Sequence, residues 1–152
     1  MTIALVVAKL LDRTTHLDIP TSAVASAAGT SPSAVRKWRT AAAAPSYLHV
    51  CAWADLVRLR VAVVDGADVA SEGLAVLTDL AALRRRRGLS QRDLAAKRRV
   101  PQSAIALLER RPVVARGVGV LTLDRHVSAM GYRLTLLWES ADTANPADRR
   151  VA

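Results

Sequence analysis

A chain of 152 residues that is 51% hydrophobic can bury one ordinary core or two very small ones, but with no Phe and only 3% aromatics the burial falls to Ala, Val and Leu. Side chains that small suit thin helices packed closely together. Lys and Arg number 22 against 13 acidic residues, a formal charge of +9 that points to a polyanionic partner, while the short, interrupted apolar runs exclude a membrane span and the lone Cys51 excludes an internal disulfide.

In chain order, the apolar run from Ile3 to Ala8 is too short for an export signal and has no basic region before it, so the start reads as a helix over 3–13 of a cytoplasmic protein. Helices are expected next over 21–28, 32–41 and 46–56. Ser31 can cap the third helix of the chain and Pro32 sits just inside its start, where a missing N–H does no harm; Pro45 and Ser46 mark the following boundary. The segment from Arg58, RLRVAVV, alternates polar and apolar residues as a half-buried strand does. Turn residues at the start of DGADVASEG make 65–73 the expected linker, dividing a first unit over 1–64 from a second over 74–139. The second unit is expected to hold helices over 72–87, 90–98, 101–110 and 122–130. Gly88 is a stop, Ser90 a cap and Pro101 an opening residue. YRLTLLWE from Tyr132 is a second closing strand. The tail over 140–152 has almost nothing to bury and is expected to be disordered.

The two units are copies. VASAAGTSPSAVRKW from Val24 aligns with LAAKRRVPQSAIALL from Leu94 at an offset of 70, and Val7 and Leu10 fall on Leu77 and Leu80 in the same register. Beyond that block the second copy is longer by about five residues. Each block carries the local code of two short helices crossing steeply: small residues at the crossing, a left-handed turn residue, then apolar residues on the inner side of the second helix. In the first these are Val24 and Ala25, Gly29, then Val35 and Trp38; in the second, Leu94 and Ala95, Arg99, then Ile105 and Leu108. A left-handed Arg99 costs about 1 kcal/mol or more.

The stretch LRRRRGLSQRDLAAKRRVPQSAIALLERR from Leu83 to Arg111, with the looser close MGYRLTLLWE, resembles the Cro and lambda-repressor-like (XRE-type) helix-turn-helix regulators. Over nearly all of 74–138 the likeness is fairly specific; in the first unit it rests on a weaker pattern and on the repeat. It implies a mainly α fold: two lambda-repressor-like helix-turn-helix bundles in tandem, each followed by a short strand. It also implies a phosphate contact at Gln91, base contacts at Gln102 and Ser103, and a structural ion pair between Arg84 and Glu109. The chain departs from the family at Arg99, where Gly is usual, and at Ala106 and Leu107, where outward polar residues are usual. In the first unit Thr21 stands for the Gln and Thr14 with Arg39 for the ion pair, yet Arg36 and Lys37 point outward.

These readings make Thr21, Ser31, Ser33, Arg36, Lys37, Arg39, Thr40, Arg86, Gln91, Gln102, Ser103 and Arg110 the candidate DNA-binding residues. Arg85 to Arg87 are phosphate candidates, of which at most two can meet one backbone; Arg84 is structural and Trp38 is a core residue. His16, His49 and His126 are far apart with no partner at ligand spacing, and no Gly-rich phosphate loop, serine elbow or carboxylate pair is present. The expected function is therefore a non-enzymatic, cofactor-free, sequence-specific regulator of bacterial or phage type, a repressor in the cytoplasm at the nucleoid, whose partner is double-stranded DNA. The closing strands could pair within the chain, making a monomeric pseudo-dimer, or between chains as a homodimer. Two rival readings are an antitoxin, with a toxin protein as second partner, and a protein-interaction module that has lost DNA binding.

Overall fold

A computed structural model describes residues 4–110 and 117–139. Its elements run α1 (Leu5–His16), α2 (Thr21–Ala28), α3 (Pro32–Arg39), α4 (Tyr47–Leu56), β1 (Leu59–Asp65), β2 (Asp68–Glu72), α5 (Ala75–Arg86), α6 (Gln91–Arg98), α7 (Gln102–Arg110), α8 (Val120–Ala129) and β3 (Arg133–Trp138). The protein is mainly helical, with one small antiparallel sheet in the order β2-β1-β3. No helix among the described residues is long and apolar enough to cross a membrane. The tail expected to be disordered, 140–152, lies outside the described residues.

Capping chemistry sets several helix boundaries. Ser31 accepts from the Ala34 N–H at 3.2 Å, opening α3, and Ser46 accepts from the His49 N–H at 3.3 Å, opening α4. Ser90 and Asp93 exchange side-chain and backbone hydrogen bonds at 3.0 and 2.8 Å, a reciprocal cap that starts α6. Left-handed residues recur at equivalent places: Asp18 and Gly88 end α1 and α5, and Gly29 and Arg99 turn the chain between α2 and α3 and between α6 and α7, each pair 70 residues apart.

Three expectations need correction. The 65–73 segment is not a bare linker: β1 and β2 form a hairpin with a register shift between Val63 and Val64, and taking Ser71 and Glu72 into β2 delays α5 to Ala75 rather than 72. A five-residue edge strand of Asp, Val, Ala, Ser and Glu has no hydrophobic period, so residue spacing carries no signal of the hairpin. β1 is not half-buried, since Val61, Ala62, Val63 and Val64 are all buried in a strand paired on both sides. The second copy is longer by three residues, not about five: α4 and α8 begin at Tyr47 and Val120, 73 apart, where α2 and α6 begin 70 apart.

The closing strands pair within the chain, from Leu59 against Trp138 to Val64 against Arg133. In that register Ala62 faces Thr135, its own counterpart 73 residues on. Ser46 bridges Gly119, again its counterpart. The flanking hydrogen bonds are reciprocal, Tyr47 N–H to the Val118 carbonyl at 2.8 Å and Val120 N–H to the Pro45 carbonyl at 3.1 Å. Positions that meet their own equivalents are what a two-fold axis requires, so an approximate dyad runs through these two contacts. Val6, Leu10, Val24 and Trp53 of the first copy share one core with Leu80, Leu94, Leu123 and Leu134 of the second.

Candidate nucleic-acid interface

α3 and α7 carry the same stripe. Val35 and Ile105, 70 residues apart, are fully buried, and Trp38 is 4% exposed, stacked on Trp53 at 6.0 Å and tilted against His49 at 5.1 Å. Trp38 is thus a core residue. On the opposite side Ser33, Arg36 and Lys37 of α3 and Thr40 just after its end are exposed, as are Ser103, Leu107 and Arg110 of α7, with Ala106 half-buried between them. These positions are three, four and seven apart and fall on one helix face. Gln102, at the start of α7, and Arg39 are also exposed.

Not every candidate side chain is uncommitted. The Ser31 hydroxyl is used by the cap of α3, and the Thr40 hydroxyl donates at 3.3 Å to the carbonyls of Arg36 and Lys37. Thr21, the first residue of α2, is half-buried and makes no cap. Among the described residues no carboxylate lies within ion-pair distance of Arg36, Lys37, Arg39 or Arg110.

Behind α7 stands a nearly buried polar cluster. Arg84 Nε donates to Glu109 Oε1 at 2.7 Å, Nη2 donates to Oε2 at 2.9 Å, and Nη1 donates to the Leu89 carbonyl at 2.7 Å. This planar two-point pair anchors the end of α7 on α5. Gln91 Nε2 donates to Glu109 Oε2 at 3.0 Å, so Gln91 is tied to that pair and braces α6. Burial pushes the Glu109 carboxyl up, but the hydrogen bonds from Arg84 and Gln91 outweigh it and hold it below its ordinary value. In the first copy the same place is filled by Thr14, whose hydroxyl donates to the Leu10 carbonyl and accepts from Trp53 Nε1 at 2.8 Å. Arg39, at the position of Glu109, is left outside.

The arginine run divides by direction. Arg87 pairs with Asp65 at 2.8 Å, donates to the Gly131 carbonyl at 3.3 Å and lies 4.2 Å over the Tyr132 ring, which makes it a clamp on the β1–β2 hairpin rather than a phosphate candidate. Arg86 is exposed and leans to the Ala70 carbonyl at 3.4 Å, about 200° round the helix from Arg84 and so away from α7. Arg85 is exposed.

Residues that the sequence reading passed over also meet here. Arg98 Nη1 donates to His126 Nδ1 at 3.2 Å, and desolvation, then the Arg98 charge, lowers the buried imidazole to about 4. Lys97, Arg98 and Arg125 line a shallow basic groove between α6 and α8. No single helix period could have joined 97 and 98 to 125 and 126; only the packing of α8 on α6 does. Burial also pushes the Cys51 thiol up to about 11, in keeping with a small core residue and not a nucleophile. No protein-family model, curated protein or solved structure matches the chain.

Proposed function

We propose that the protein is a sequence-specific double-stranded-DNA-binding transcriptional regulator, a repressor, in which α2–α3 and α6–α7 act as two helix-turn-helix readers within one chain. The observation that carries this reading is the duplicated helix pair: each has a left-handed turn residue at the same place, and each second helix buries one stripe and exposes the other, on a chain of charge +9. The second helix of such a pair lies in the major groove, its outward side chains meeting base edges while neighbouring cations hold phosphates. Arg36, Lys37 and Ser33 on α3, and Gln102, Ser103 and Arg110 on α7, take these roles. Gln91 supports α7 through Glu109 and keeps one amide N–H to donate to a phosphate and its carbonyl to accept from water. Arg86 points elsewhere and is not assigned a contact.

Enrichment of bound sites from a random duplex pool, followed by mobility shifts at two salt concentrations, tests the proposal. Sequence enrichment is expected, with affinity falling steeply as salt rises. Unaltered DNA mobility at low salt overturns it. One observation favours a second reading, that of a protein-binding module or antitoxin: Leu107, 53% exposed, is an apolar side chain on the outward stripe of α7. Capture of a partner protein that Leu107→Asp abolishes, in a chain that binds no DNA, would establish it.

A further inference from the structure

We propose that one chain reads an inverted pair of unlike half-sites: α3 a guanine-bearing half, and α7 a half whose thymine methyls meet Ala106 and Leu107. The inference rests on the DNA-binding reading above and adds the chemistry and symmetry of the target.

The symmetry comes from the two self-equivalent contacts, Ser46 with Gly119 and Ala62 with Thr135. Two readers related by a dyad inside one chain face DNA as the halves of a dimer do, so their half-sites run in opposite directions about one helical turn apart. A dimer of identical chains must present identical readers, but a duplicated chain need not. Here the corresponding outward residues have diverged. Where α3 presents Arg36 and Lys37, α7 presents Ala106 and Leu107; where α3 opens with Pro32, α7 opens with the exposed Gln102. Guanidinium and ammonium groups match the O6 and N7 acceptors of guanine in the major groove. Methyl and isobutyl groups match the thymine C5-methyl, and an amide matches adenine N6 and N7.

Leu107 is not accounted for by the core, because it is more than half exposed while Ile105 on the same helix is fully buried. The cluster behind it, Arg84 with Glu109 and Gln91, fixes the end of α7, so the apolar stripe is held on a rigid helix rather than on a frayed one.

The test uses the full chain and the duplex enriched from the random pool, synthesised with uracil in place of thymine, or 7-deazaguanine in place of guanine, in one half at a time. Loss of a contacted methyl is expected to weaken binding about three- to fivefold, in one half only, and the effect should shrink in Leu107→Ala. Loss of guanine N7 is expected to weaken binding about five- to a hundredfold, in the other half only, and to vanish in Arg36→Ala. One chain should bind per duplex. A specific site with two identical halves, two chains per duplex, or a single protected half insensitive to uracil overturns this inference and leaves DNA binding standing. Failure to enrich any sequence removes both.

Discussion

Arg84 and Glu109 form a pair that the structure cannot lose cheaply, because removing either partner strands the other charge away from water. Glu109→Ala is expected to lower unfolding free energy by about 3–5 kcal/mol in urea titrations. Arg39 occupies the same repeat position but is exposed, so Arg39→Ala should change stability by no more than about 0.5 kcal/mol. Equal effects would show that the cluster is not what holds α7. The ion pair was legible because a known motif places it, whereas the contact of Arg98 with His126 was not, since its partners lie on helices far apart in sequence.

His126 gives the protein a direction of pH dependence. Its imidazole titrates near 4 when folded against 6.5 ordinarily, with Arg98, Arg84 and Glu109 facing it. The unfolded chain therefore binds the proton more tightly, and stability is lost as pH falls from about 6.5 towards 4. Glu109, lowered in the folded state, adds loss of the same sign at more acidic pH. Thermal melts between pH 7 and 4.5 should show a falling midpoint that His126→Gln flattens; an unchanged slope in that variant would remove His126 as the cause.

Among elements, the turns between paired helices are where sequence chemistry and conformation disagree. Gly29 and Arg99 share φ values of 66° and 54°, and an L side chain there is strained. Nothing lies within 4 Å of a Cβ added at Gly29, so the cost of Gly29→Ala is backbone strain alone, about 1–2 kcal/mol. Arg99→Gly relieves the same strain and should stabilise by about 1 kcal/mol, read as a higher urea midpoint. A neutral or destabilising result would mean that the Arg99 side chain makes compensating contacts. The end of helix α2 was readable because Gly29 marks the left-handed turn that follows it. Strand β2 was not, because what makes it a strand is the neighbouring edge of β1.

For the whole molecule, the shared core makes the two copies one cooperative unit. Leu10 and Leu80 are equivalent positions, buried to within 1% of completely, and Leu→Ala at either should cost about 2–5 kcal/mol. Trp fluorescence, dominated by the buried Trp38 and Trp53 of the first copy, and far-ultraviolet circular dichroism should then report one coincident transition in both variants. Separate transitions would mean that the copies fold independently. Joining the copies through β1 and β3 also leaves β3 with an open edge among the described residues, next to a partly covered Trp138 under Arg13.

The sequence by itself determined the duplication, the helices of each copy, and the inward and outward stripes of α3 and α7, while the Arg84–Glu109 pair followed only from the resemblance. The first three are written in local spacing, which a helical period or a turn residue makes visible. Tertiary structure alone decided that the closing strands pair with each other, that the segment between the copies is a hairpin, that Arg87 serves that hairpin, and that His126 lies under Arg98. Those outcomes depend on which surfaces meet after the chain has closed on itself, and residue spacing along one element carries no record of that.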